Sequence, residues 1–535
     1  INSGSLPVKM SEEYTNAVTA DYGMNAFEST MMAGAVGVIA IMLFMILYYQ
    51  LPGIISAITI AVYVFVVFLI YNLMGGVFTL SGIAALVLGV GMAADSNILT
   101  FERIRDGLYS GRSVKTAFYE GTSKSFITIF DAQFTTFISA LILYLLGTGS
   151  VKGFATMLIV STISTLLLIV FVAKFFLKML VDSGCLDGKL KLFGVKETRV
   201  PDVNKGEERF YYGKFAKFDF VGKARYFITV TISVLVIGIG FMAFNGFNGN
   251  EALNLGIDFT SGTKITVVSD DAINASTLKD QLKDLGINTK SIKINGKGDT
   301  TATVFVKEAI ETEKMDSVKA SLKDIYHHDV NDNTVTPIIG CQLVKNAFLI
   351  SILAWIGIMI YISFRFKWDY AISGIVALIH DLLVMIAFCA ILRLEMNTEI
   401  IAVLLTIIGY SINNSIVVFD RIRDNVKANK HEVITKERYK EIVNDALQKT
   451  ATRSILSTLT TMMPVITLLL MGSNAINTFC LMLFIGLFFG AGSSLFIAAQ
   501  LWYQIRIHHK PKKHTKKKRK KEDIEEMIIP GMNDY

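Results

Sequence analysis

The chain is poor in charge. Asp, Glu, Lys and Arg make up 18% of its 535 residues against 52% hydrophobic ones, and the mean hydropathy is +0.49. That balance excludes an ordinary soluble domain and points to a polytopic membrane protein. Cysteine is scarce as well. Cys185, Cys341, Cys389 and Cys480 are scattered, and three lie in or beside apolar runs, so they indicate neither a disulfide framework nor a metal site. No nucleophile, metal cluster or nucleotide loop stands out, so the expectation is a protein that is not an enzyme and carries no cofactor. An initiator Met and a signal peptide are also missing. Ile1 opens on a polar lead, which suggests that an N-terminal portion precedes the numbered chain.

What is present is long apolar runs. Those near 33–50, 54–74, 78–100, 125–146, 153–180, 226–244, 347–364, 370–392, 399–419, 452–471 and 477–503 are each long enough to cross ~30 Å of hydrocarbon. The net charge of +7 sits in the loops around 102–124, 182–225, 365–367 and 421–449 and in the tail after 505, whereas 75–77, 147–150 and 472–476 are nearly free of Lys and Arg. Threading the chain through eleven spans puts every basic loop on one side, which the positive-inside tendency makes the cytoplasm. The first residue is then outside and the C-terminus inside. An exported start requires a further span upstream, so twelve are expected in the natural protein.

Seven segments follow: an external lead over 1–30, a five-span half over 31–181, a cytoplasmic linker over 182–225, a single span over 226–245, an external domain over 246–340, a second five-span half over 341–505 and a basic tail over 506–535. In the external domain, 255–269 reads as a strand or bent hairpin, 275–286 and 313–326 as helices, and 291–294, 303–307 and 333–337 as strands. This strand–helix–strand–strand–helix–strand order is expected to form a ferredoxin-like sandwich. Gly256, Asp258 and Gly262 read as a tight bend rather than a phosphate loop.

The organising fact is a repeat. Residues 91–106, GMAADSNILTFERIRD, return as residues 409–424, GYSINNSIVVFDRIRD. A slightly larger shift lays Thr135-Thr136 over Thr460-Thr461. Two halves in the same orientation place functional groups where they meet. Asp95 lies about six residues before the basic end of its run, roughly 9 Å deep at ~1.5 Å per residue, too far for so short a side chain to snorkel. It is therefore read as an ion- or proton-linked group. Arg453 enters its run from the same side, where it is equally well an anchor reaching water. Asn413 and Asn414 stand at the level of Asp95 in the second copy, with Asn97 beside it in the first. Asp131 is read as orienting the Asp95 helix. His380-Asp381, near mid-span, is either a proton-handling pair or a satisfied interhelical bond. The pairs Glu102-Arg103 and Asp420-Arg421 read as solvated and interfacial, and the threonine pairs and glycines as close helix contacts.

The chain resembles SecD fused to SecF, the accessory membrane component of the bacterial Sec protein-export machinery. The first half carries the resemblance in SGSLP (3–7), GMAADSNI (91–98), TIFDA (128–132) and GTGSVKGFA (147–155). The second carries it in FDF (218–220), GIDFTSG (256–262), His380-Asp381, LLTIIGYSIN (404–413) and Thr452-Arg453. The resemblance covers Ser3 to about residue 505, without the first span and large external domain of SecD. It implies a motor of the resistance-nodulation-division superfamily in the bacterial plasma membrane, driven by the proton motive force. Its implied partners are the SecYEG channel, an emerging preprotein, and YajC-like and YidC-like membrane proteins, but no nucleic acid. It carries the family's membrane aspartate onto Asp95, its membrane arginine onto Arg453, and a second aspartate onto position 414, where an amide cannot exchange a proton near neutrality. Proton coupling through Asp95 alone and sodium coupling both stay open, as do an exporter of lipids or small molecules and a factor that merely braces the channel.

Overall fold

The computed structural model describes residues 14–200, 215–249, 251–295, 298–429 and 435–508. The SGSLP motif, part of the 182–225 linker and all but the first residues of the tail fall outside them. Among the described residues, eleven helices are long and apolar enough to cross a membrane. The first five are Gly23–Tyr49, Leu51–Leu73, Leu80–Tyr109, Val114–Leu146 and Gly149–Asp182, and the sixth is Phe220–Phe247. The last five are Pro337–Arg365, Trp368–Ile391, Thr398–Ala428, Lys436–Met471 and Asn474–His508.

Four spans outrun their apolar runs by about nine residues or more at the basic end: the third continues to Tyr109, the fourth starts at Val114, the ninth continues to Ala428 and the tenth starts at Lys436. Polar capping and pairing support these extensions beyond hydrocarbon. Ser113 and Thr435 accept from the backbone N–H three residues on, and Glu102–Arg105, Asp420–Arg423 and Asp445–Lys449 pair along one helix face.

The third, fourth, ninth and tenth spans form the centre, each packing on two of the others in a ring. Small residues allow the close approach. A Cβ on Gly91 would lie 2.9 Å from the Thr461 Cα, and in the pseudo-symmetric crossing a Cβ on Gly409 would lie 3.5 Å from the Thr136 Cα.

Residues 262–335 form the α/β domain. Strands β2 (Gly262–Val268), β3 (Thr289–Asn295), β4 (Thr301–Val306) and β5 (Asn331–Val335) are all antiparallel, in the order β5-β2-β4-β3. Between them, helices Ala275–Asp284 and Thr312–Tyr326 bury Leu278, Leu282, Val318 and Leu322 against Ile265 and Val304 of the sheet. The first strand is shorter than the sequence suggested. Residues Ile257–Thr260 are a helical turn, and Gly262, at φ +127°, bends the chain into β2 where a Cβ would collide with the Val306 carbonyl. A fifth strand, β1 (Tyr14–Ala17), adds to β5, with Tyr14 opposite Val335. The end of the polar lead therefore belongs to this sheet.

Candidate ion-coupling site

Asp95 sits at the middle of the third helix, 4% exposed. Its Oδ2 accepts from Asn413 Nδ2 of the ninth span at 3.0 Å, and its Oδ1 accepts from the Ser457 hydroxyl of the tenth. Arg453 Nη2 approaches Oδ1 at 3.6 Å, and the residue as a whole is only 5% exposed. Of the two readings of Arg453, the structure places its guanidinium beside Asp95 and buried, not exposed as an anchor's would be. Arg453, Ser457 and Thr461 recur every four residues and share one face, while Gly91 and Asp95 share the facing stripe of the antiparallel third helix. Close packing at Gly91–Thr461 sets the distance at which Asp95 meets Ser457.

An unpaired carboxylate at this depth is costly, and a buried ion pair breaks even only when further hydrogen bonds complete it. Ser457 and Asn413 supply those on the carboxylate side. The guanidinium side is incomplete: Arg453 Nε is buried without a partner among the described residues. A pair held from one side can separate without breaking a full shell, which is the property an exchangeable ion-coupling group requires. A cleft lined by Glu102, Arg103, Asp106, Arg421 and Lys449 leads from the basic end to Arg453.

The other expected residues go elsewhere. Asn413 and not Asn414 faces Asp95: Asn414 is buried one residue further on, and its Nδ2 finds no partner among the described residues. Asn97 donates to Ser56 within the first half at 2.7 Å. Asp131 does not orient the Asp95 helix. It accepts from Tyr361 at 2.8 Å and from Arg365 at 2.6 Å, tying the fourth span to the seventh across the halves. The repeat ends are not simple neighbouring pairs either: Glu102 pairs with Arg105, Asp420 with Arg423, and Arg421 reaches Asp106 of the other copy at 3.6 Å. Asp420 is buried and accepts from Thr128 at 3.1 Å. Ser457, which sequence reasoning missed, was findable as the residue one turn after Arg453.

The glycine-bounded turn connects the α/β domain to this site. Asp258 Oδ2 accepts from the Thr398 N–H at 3.0 Å and the Thr398 hydroxyl at 2.9 Å, at the first residue of the ninth helix. Gly256 N–H donates to Met396 O at 2.7 Å, Met396 N–H to Asn254 O at 2.9 Å, and Lys264 pairs with Glu395 at 3.4 Å. The helix so anchored is the one that carries Asn413.

Two family models match: "Protein export membrane protein SecD/SecF, C-terminal" over residues 4–183 and 316–508, and "SecD/SecF GG Motif" over 252–273. The chain is 42% identical over 503 residues to the protein translocase subunit SecDF of Bacillus subtilis (strain 168), covering 94% of this chain and 67% of that one. It is 30% identical to the Thermus thermophilus counterpart over 94% of this chain and 65% of that one. The crystal structure of SecDF from Thermus thermophilus, described as a translocon-associated membrane protein, superposes with a TM-score of 0.81 at 30% identity, covering 95% of this chain and 66% of the other. A SecDF structure in a super-membrane-facing form gives 0.67 at 28% identity, over 91% and 62%. The chain therefore spans about two thirds of the length of these relatives.

Proposed function

We propose, from the premise that this chain belongs to the SecD/SecF family of protein-export membrane proteins, that it assists late steps of preprotein export by using the proton motive force. The Asp95–Arg453 pair supports this reading: one buried carboxylate and one buried guanidinium, contributed by opposite halves, at 3.6 Å. Protonating Asp95 removes the attraction that holds Arg453 and lets the third and tenth spans part. Deprotonation draws them together again. The ninth span, joined to Asp95 through Asn413 and to the α/β domain through Thr398, carries that movement to the domain, where an emerging preprotein is held. In this arrangement the basic loops face the cytoplasm, the α/β domain lies outside, the SecYEG channel is the partner, and ATP hydrolysis belongs elsewhere.

Sodium coupling is the second reading, and the site's chemistry disfavours it. Asn413 presents its amide nitrogen to Asp95, and the guanidinium occupies the position beside Oδ1 that a sodium ion would take. The deciding measurement is preprotein release to the exterior with the proton and sodium gradients collapsed separately, for wild type and Asp95→Asn. Proton coupling requires that collapsing the proton gradient lower wild-type release to the Asp95→Asn level while collapsing the sodium gradient leaves it unchanged. Unaltered release by Asp95→Asn would instead leave the chain a brace for the channel.

A further inference from the structure

Six aspartates are buried among the described residues, and five of them lie in spans. Four of the five face an arginine: Asp95 faces Arg453, Asp131 faces Arg365, Asp369 faces Arg506 and Asp420 faces Arg423. Asp381 does not. Among the described residues its one ion-pair partner is His380, whose Nδ1 lies 3.0 Å from Oδ1. Its Oδ2 accepts from the hydroxyls of Ser411, on the ninth span, and Ser493, on the eleventh. Gly490 of the eleventh span packs against the same oxygen, and the sixth span presents Phe227 to the imidazole. Asp381 is 1% exposed, and 13 residues separate it from Trp368 and 10 from Ile391, the ends of its helix.

An ionised carboxylate here would have three neutral donors and no fixed positive charge, a combination that burial at mid-span makes expensive. One proton, on the carboxyl or on the ring, cancels the charge. The ring is free to take it: His380 Nε2 is buried and has no hydrogen-bond partner among the described residues. The position also lacks a counterpart in the first half, since the shift of 318 that aligns Asp95 with Asn413 places Tyr63 at Asp381. Ser411 and Asn413 are two residues apart on the ninth helix, roughly 200° around its axis at ~100° per residue, and so contact Asp381 and Asp95 from opposite faces. The ninth span therefore touches both carboxylates at once.

We propose that His380 and Asp381 form a second proton-binding site, linked to Asp95 through the ninth span. Its use in export rests on the ion-driven reading above; its existence does not. The test is infrared difference spectroscopy of the full chain in lipid nanodiscs across a pH series in sodium-free buffer. A carboxyl band that changes with pH, either the carbonyl of a protonated Asp381 or the carboxylate stretch of Asp381 beside an imidazolium, should be lost in Asp381→Asn and persist in Asp95→Asn. Ser493→Ala should shift its frequency, because one hydrogen bond to that carboxyl is removed. Identical spectra for Asp381→Asn and wild type would overturn the assignment, and so would a band that appears only when sodium is withdrawn in place of a pH response. The readout is a carboxyl band rather than export, so it can fail while the Asp95 reading stands, and the reverse.

Discussion

Replacing Arg453 by Met leaves the Asp95 carboxylate between Ser457 and Asn413 without its one ion-pair partner among the described residues. Two unit charges about 4 Å apart attract by about 4 kcal/mol at an effective dielectric near 20, and breaking a buried pair from one side typically costs about 3–5 kcal/mol because the stranded charge stays desolvated. Asp95→Asn strands the guanidinium instead and should cost a comparable amount. Replacing both removes two buried charges together and keeps the Ser457 and Asn413 contacts near an isosteric amide. The double variant should therefore lose less than the two single losses together, by a coupling of about 2–3 kcal/mol, at the upper end for contacting residues. Reversible unfolding in detergent micelles, by heat or denaturant, measures all four corners of the cycle. Additive losses, with the double variant as unstable as the two single losses together, would show that the 3.6 Å approach carries no interaction and remove the physical basis of the coupling site.

Asp258→Ala removes both hydrogen bonds to Thr398 at the start of the ninth helix. It should cost about 1–2 kcal/mol, as other lost helix caps do, with faster amide exchange at Thr398–Ile400 and slower export, Asp258→Asn falling between. Unchanged exchange at those amides would mean the turn is not an anchor. On the α/β domain, burial holds Lys293 below the ordinary lysine value of 10.5, Glu395 opposing and Lys264 and Arg393 adding to the effect. The desolvation cost is fully present while the folded lysine is charged and is relieved as pH rises through its folded value. Lys293→Met should then stabilise the domain at neutral pH, by less than about 1 kcal/mol given the side chain's partial exposure. The gain should shrink as pH climbs toward 10.5. Loss of stability at neutral pH, measured by exchange of the β3 amides, would reverse the sign of the argument.

The eleven spans were legible from composition because crossing hydrocarbon is a local demand that each run of twenty apolar residues meets by itself. The repeat made two halves and a meeting place for them legible too, and Asp95 with Arg453 stood out as charges where charge is costly. Which side chains share that place was decided by helix rotation. Asn413 rather than Asn414 faces Asp95 because one residue is ~100° of turn, and that turn is set by close contacts such as Gly91 against Thr461, residues far apart in sequence. The same holds for Asp131, which finds Arg365 over 200 positions away, and for β1, whose pairing with β5 needs the whole domain assembled first. Local patterns carry the hydrophobic demand, but hydrogen-bond partners across helices are specified only when packing has fixed every helix's rotation and depth.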